Sequence, residues 1–299
     1  MRFKLDKRTL LLTFIFLIGL SILLYPLVSS TWNQIIQNIS IGDYEETVEN
    51  TDPKTLTSYI EAARDYNIRL QPKAVPDAFS IRSEQKDTEY ESLLKLTENG
   101  CMGYVEIPVI KVSSPIYHYT TKEVLERGVG HLFGSSLPVS GKGTHAVITA
   151  HRGLPHNKLF SDLDKVKLGD KFYITTCGET FAYQVDQIKV VEPVQTEDLA
   201  LNPEKDYVTL VTCTPYGVNT HRILCRGHNI PYVPGEEDQT AARRWLNMNI
   251  LTGLIGALIG ILLALIMIIR LKKRGNNIEQ GTETKQEKKD PKIRFRRVK

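Results

Sequence analysis

Residues 209–227 read TLVTCTPYGVNTHRILCRG. A β-branched run stops at Cys213, turn formers follow, and Arg222 opens a second apolar run. A thiol and a guanidinium placed this way can work together. The thiolate is the reactive form of cysteine, and a neighbouring permanent cation favours it. Arginine also presents a fork of fixed donors suited to a developing oxyanion. Such a nucleophile needs a partner that moves protons to and from the leaving group. Seven histidines are available, at 118, 131, 145, 151, 156, 221 and 228. In THAVITAH the last residue, His151, stands where a strand passes into the loop HRGLPHN, exposed enough to exchange protons on a held backbone. His145 shares its strand parity and competes with it. His221, next to Arg222, faces the other way on a strand. A plain reading stands beside the chemical one: a small buried thiol in the core and an arginine on the rim.

The elements that must position these residues follow from the pattern. YVTLVTC and HRILCRG are strand-like, and Pro215, Gly217 and Asn219 between them are turn formers, so the two runs pair as an antiparallel hairpin. Cys213 and Arg222 then face each other across its mouth. From Gly100 onward short apolar or alternating runs recur, separated by Gly and Pro clusters, with no long amphipathic helix between them. That spacing predicts a mostly β fold, a closed, mostly antiparallel barrel over residues 100–235. Upstream, DPKTLTSYIEAARDYNIRL (52–70) has helical periodicity, QPKAVPDAFS (71–80) is broken by two prolines, and EYESLLKLTENG predicts a short helix ending at Gly100.

The apolar residues are unevenly spread over the 299-residue chain. Residues 9–29 and 245–269 carry no charge, each run being long enough to span a hydrocarbon core of about 30 Å. A secretory signal is the rival reading of the first run, but its apolar part exceeds the roughly 7–15 residues of a signal core. Arg2, Lys4, Lys7 and Arg8 precede the first run, and Arg270, Lys272, Lys273 and Arg274 follow the second. Basic residues favour the cytoplasmic side, so both termini are expected inside and residues 31–244 outside. The expected organisation is a cytoplasmic N-terminus and anchor (1–30), an external helical segment (31–99), the barrel (100–235), a second transmembrane helix (245–270) and a basic, disordered cytoplasmic tail (271–299). The net charge of +4 resides mostly in the flanks and tail and does not point to nucleic acid. Cys101, Cys177, Cys213 and Cys225 lie in the external part, where two disulfides are permitted but not required. Cys225 reads as core. No Cys/His cluster has zinc-site spacing, so no structural metal is expected.

The segment TLVTCTPYGVNTHRILCRG resembles the active-site signature of the sortases, T-L-x-T-C followed by an arginine nine residues on, and its extended form is similar to class C, the pilus-assembling branch. The likeness continues in residues 128–155 and 104–120, and the two uncharged runs suit class C as well. The resemblance implies a sortase-like barrel and a membrane-anchored cysteine transpeptidase without cofactor. It implies Cys213 as nucleophile on an LPxTG-like sorting signal, His151 as general acid/base, and Arg222 as the residue that positions substrate and steadies the oxyanion. It thereby decides between His151 and His145, which spacing left open. It further implies pilin subunits as partners, a lysine amine being the acceptor, and a lid ahead of the barrel. The lid candidate is Asp77-Ala78-Phe79, which departs from the commonest Asp-Pro-aromatic triplet by its central alanine. Asp77 would pair with Arg222 and the Phe79 ring would cover the thiol; the alternative is an ordinary loop with Pro76-Asp77 as turn chemistry. Two other functions stay open: attachment of surface proteins to a cell-wall precursor, and a non-catalytic module that binds sorting signals.

Overall fold

The computed structural model describes residues 7–70, 76–79 and 86–235. Helix α1 runs over Lys7–Glu49, α2 over Pro53–Arg69 and α3 over Thr88–Ser92. Asp52 caps α2 by accepting from the Lys54 and Thr55 amides, with Pro53 at the first helical position, where its missing N–H costs nothing. The expected helix before Gly100 is shorter than read. It ends at Ser92 because Leu93 turns extended and Leu94 takes φ +58°, which buries both leucines in the core.

Eight strands follow: β1 (Cys101–Ile107), β2 (Val112–His118), β3 (Val129–His131), β4 (Thr144–Thr149), β5 (Lys171–Thr176), β6 (Glu179–Val191), β7 (Asp206–Thr214) and β8 (His221–Ile230), with α4 (Lys122–Arg127) between β2 and β3. They close into a barrel in the order β1-β2-β3-β4-β7-β8-β6-β5. Most neighbours are antiparallel, as expected, but β2–β3 and β4–β7 run parallel. A parallel neighbour cannot be reached by a tight turn, so each of these pairs needs a crossover connection, supplied for β2–β3 by α4.

One face of each central strand fills the barrel. Ile148 of β4, Leu210 of β7 and Ile223 and Cys225 of β8 belong to the main core with Val105, Ile116 and Phe172. The opposite face carries a second, smaller cluster of Val147, Val211, Leu224, Leu132 and Leu199. Ala78, from the segment ahead of the barrel, is packed into that outer cluster.

The chain divides into two units. The barrel belongs to Ile22–Arg244; the other unit is Met1–Ser21 with Trp245–Lys299, of which residues 7–21 are described and are helical. Among the described residues no helix is long and apolar enough to cross a membrane. The run 245–269 and the tail lie outside the described residues, as do several side chains of the run 9–29.

Candidate active site

Strand register assembles the site. In the parallel β4–β7 ladder Val147 pairs with Thr209 and Thr149 with Val211, and the Ala150 amide donates to the Val211 carbonyl at 3.2 Å. Two residues past Thr149 and Val211, the same register brings His151 level with Cys213. Residues two apart share a face, so both side chains project on the side of Val147 and Val211, outside the barrel. In the antiparallel β7–β8 ladder Cys213 pairs directly with Arg222. The connecting turn is made as its residues dictate: Gly217 and Asn219 have positive φ, and the Val218 and Asn219 amides donate back to the Pro215 carbonyl. The end of β4 and strands β7 and β8 thus bring His151, Cys213 and Arg222 to one level and one face.

The segment Asp77–Phe79 covers that face. Arg222 Nε donates to Asp77 Oδ1 at 2.7 Å and Nη2 to Oδ2 at 2.9 Å. This is the bidentate geometry that makes arginine–carboxylate pairs strong, and both side chains are nearly enclosed, at 11% and 9% exposure. The third nitrogen, Nη1, is held by the Asn219 and His221 carbonyls. The Phe79 ring centroid lies 4.9 Å from the guanidinium carbon and 5.6 Å from the His151 ring, so the phenyl touches both groups. Ala78 is buried against Val147, Val211 and Leu224. A larger central residue would have to displace that packing.

Enclosure sets the protonation states. Burial pushes the Cys213 thiol above its ordinary range; Arg222 pulls it down and Asp77 pushes it further up. Burial also holds His151 below its usual range, with Glu126 opposing and His156 adding to the effect. In this closed arrangement the neutral thiol and neutral imidazole are therefore favoured.

His145, His131 and the other three cysteines are structural in character. His145, on the same face of β4, is buried, with Nδ1 against the Ala200 carbonyl at 2.9 Å and Nε2 against Thr209 Oγ1 at 2.7 Å; burial drops its pKa to about 4. Both ring nitrogens are committed, which separates it from His151. His131 is fully buried between Tyr90 and the Ser136 carbonyl. All four cysteines are free thiols, and burial raises Cys101, Cys177 and Cys225 to about 12. Among the described residues no group of three or more His, Cys, Asp and Glu is gathered closely enough to hold a metal ion.

One residue that spacing did not single out is Arg152. Its side chain is 7% exposed and joins Ser161, Asp164 and Thr214, the neighbour of Cys213. The signal was an arginine directly after a strand-end histidine, too common a pair to stand out.

A family model described as a sortase domain matches residues 105–230. The crystal structure of sortase C-1 from Streptococcus pneumoniae is 47% identical and superposes with a TM-score of 0.60, covering 65% of this chain and 99% of that one. Sortase C1 of GBS Pilus Island 1 is 46% identical with a TM-score of 0.61, over 66% of this chain and 94% of that one. Sortase D of Bacillus subtilis is 26% identical over 167 residues, 56% of this chain and 78% of that protein.

Proposed function

The chain belongs to the sortase family and is a cysteine transpeptidase, and from that premise we propose that it joins pilin subunits at the outer face of the membrane, with Cys213, His151 and Arg222 carrying the chemistry. The observation that carries the assignment is the shared level of His151, just past the end of β4, with Cys213 on β7 and Arg222 on β8, the last paired to Asp77.

The reaction begins with removal of the Asp77–Phe79 cover. Asp77 occupies two of the arginine's donors, and a substrate carbonyl needs donors of that kind free. The Cys213 thiolate attacks the threonine carbonyl carbon of an LPxTG-like signal, and Arg222 steadies the resulting oxyanion. Protonated His151 donates to the leaving glycine amine as the C–N bond breaks, which leaves a thioester on Cys213. A lysine amine of the next subunit attacks that thioester and gives its proton to the now neutral His151. The C–S bond breaks, an isopeptide bond forms, and the thiolate returns. The two uncharged runs at 9–29 and 245–269 are read as membrane spans that keep the barrel on the side where pilins arrive.

Pilin joining is preferred to wall attachment because Asp77, ahead of the barrel, pairs with Arg222 as a lid would, and because one solved relative is the sortase C1 of a pilus island. The test is Cys213→Ala in the full chain, mixed with candidate pilins carrying an LPxTG-type signal. The parent protein should give covalent ladders and the variant none. Ladders from the variant would overturn the mechanism. A parent that cleaves the signal without laddering would overturn the pilin assignment alone.

A further inference from the structure

The parallel β4–β7 ladder stops just short of the reacting groups. Its last backbone bond joins the Ala150 amide to the Val211 carbonyl, and Thr212 Oγ1 adds a bond to the Ala150 carbonyl at 2.8 Å. His151 and Cys213 are the next residues on the two strands, and past them β4 turns away into a loop. We propose that Arg152 is a positioning residue that fixes the separation of His151 and Cys213 by clamping the backbone beyond each of them.

The contacts support such a clamp. Arg152 Nη1 donates to Thr214 Oγ1 at 2.9 Å, and Thr214 is bonded directly to Cys213 in the chain. Nε donates to the Ser161 carbonyl at 3.2 Å, and Nη2 pairs closely with Asp164 Oδ2. The guanidinium is therefore fixed from the loop side while one arm reaches across to β7. The next residue completes the junction. Gly153 has φ +80°, its amide donates to Ser161 Oγ at 3.1 Å, and a Cβ there would stand 3.2 Å from the Tyr216 ring. The loop after His151 is thus seated on the loop after Cys213. A lysine in place of Arg152 keeps the charge but has no planar fork, so it cannot hold Ser161, Asp164 and Thr214 together.

The inference rests on the roles proposed for His151 and Cys213, and the test separates the two. Turnover of a fluorogenic LPxTG-type peptide is measured on the full chain in detergent micelles, with thermal midpoints as a folding control. Thr214→Val is nearly isosteric and removes the acceptor, whereas Thr214→Ser keeps the acceptor and removes a methyl. The clamp predicts that T214V lowers kcat about 10-fold with KM within about twofold, since misalignment acts on the chemical step. T214S should lose less than T214V. R152K should lose at least as much as T214V, since it gives up the Ser161 and Asp164 contacts as well, and the double variant should be no worse than R152K alone, because R152K already breaks the bond that T214V removes. A larger loss in T214S than in T214V marks simple packing and overturns the clamp, as do parental kcat in T214V or additive losses in the double variant. If T214V does not fold, kcat of R152K decides alone. Full turnover in H151A or C213A would instead overturn the catalytic assignment beneath it.

Discussion

At the scale of single residues, enclosure favours the neutral form of the Cys213 thiol. The thiol of Cys213 is raised first by burial, and Asp77 adds to that rise while Arg222 opposes it. Replacing Asp77 by Ala removes one raising influence directly. It also frees the Arg222 fork and loosens the packing of Ala78 and Phe79, which admits water and removes part of the other. All of these changes act in one direction, towards a lower thiol pKa. Alkylation of Cys213 by an uncharged reagent should therefore rise with pH through a midpoint above the ordinary thiol value of about 8.5 in the parent. In D77A the midpoint should move down and the rate at neutral pH should increase about 10-fold. An unchanged midpoint and rate would mean that the segment is an ordinary loop. Much of this was legible at residue level. The pairing of Cys213 with Arg222 followed from the turn formers between two β-branched runs, and the Asp77–Arg222 pair from the resemblance. The choice between His151 and His145 was not legible from spacing, because it depends on the Ala200 carbonyl and Thr209, which lie 55 and 64 residues away in the chain.

At the scale of elements, the short strand β3 shows what holds the site's neighbours in register. Its three residues lie between β2 and β4, with Gly130 opposite Tyr117 on one side and Thr149 on the other. A Cβ at Gly130 would stand 2.4 Å from the Tyr119 carbonyl oxygen and 3.2 Å from Thr120 Cα, both backbone atoms that cannot rotate away. Gly130→Ala should therefore force β3 apart from the turn after β2, at a cost of about 2–3 kcal/mol. In a thermal scan of the full chain that is a drop of roughly 4–12 °C. An unshifted midpoint would show that β3 has room the ladder does not leave it. Elements also show what the pattern left unread. The second half of α1 packs Asn33, Gln37, Ile41 and Tyr44 against the rest of the molecule: Asn33 donates to the His156 carbonyl, Gln37 is bonded to Arg127 and Asn157, and Tyr44 to Met102 and Cys177. Its apolar Trp32, Ile36 and Ile39 face outward. The packed face mixes Asn33 and Gln37 with the buried Ile41 and Tyr44, so no continuous apolar stripe marks it. By contrast α2 was legible nearly to its ends, since Asp52-Pro53 is an explicit start signal and its face buries Ile60 and Ala63.

At the scale of the whole molecule, the barrel follows from many short strands, but its order does not follow from the sequence. His151 and Cys213 lie 62 positions apart and meet because β4 is placed beside β7 in parallel, a neighbour relation that no local turn signal encodes. The same scale governs where the reaction can occur. The proposed joining of pilins requires the face carrying Asp77 and Cys213 to be external, and the basic flanks at 2–8 and 270–274 agree with that if both uncharged runs span. A cysteine scan in the C213A background tests it, since Cys101, Cys177 and Cys225 are buried and silent to a membrane-impermeant maleimide. Lys205 is exposed near the start of β7, and Lys288 lies in the tail. K205C should label in intact protoplasts, and K288C only after permeabilisation. Labelling of K288C from outside would show that the second run does not cross the membrane. A K205C that stays silent until lysis would place the barrel on the inside, where no surface subunit could reach Cys213.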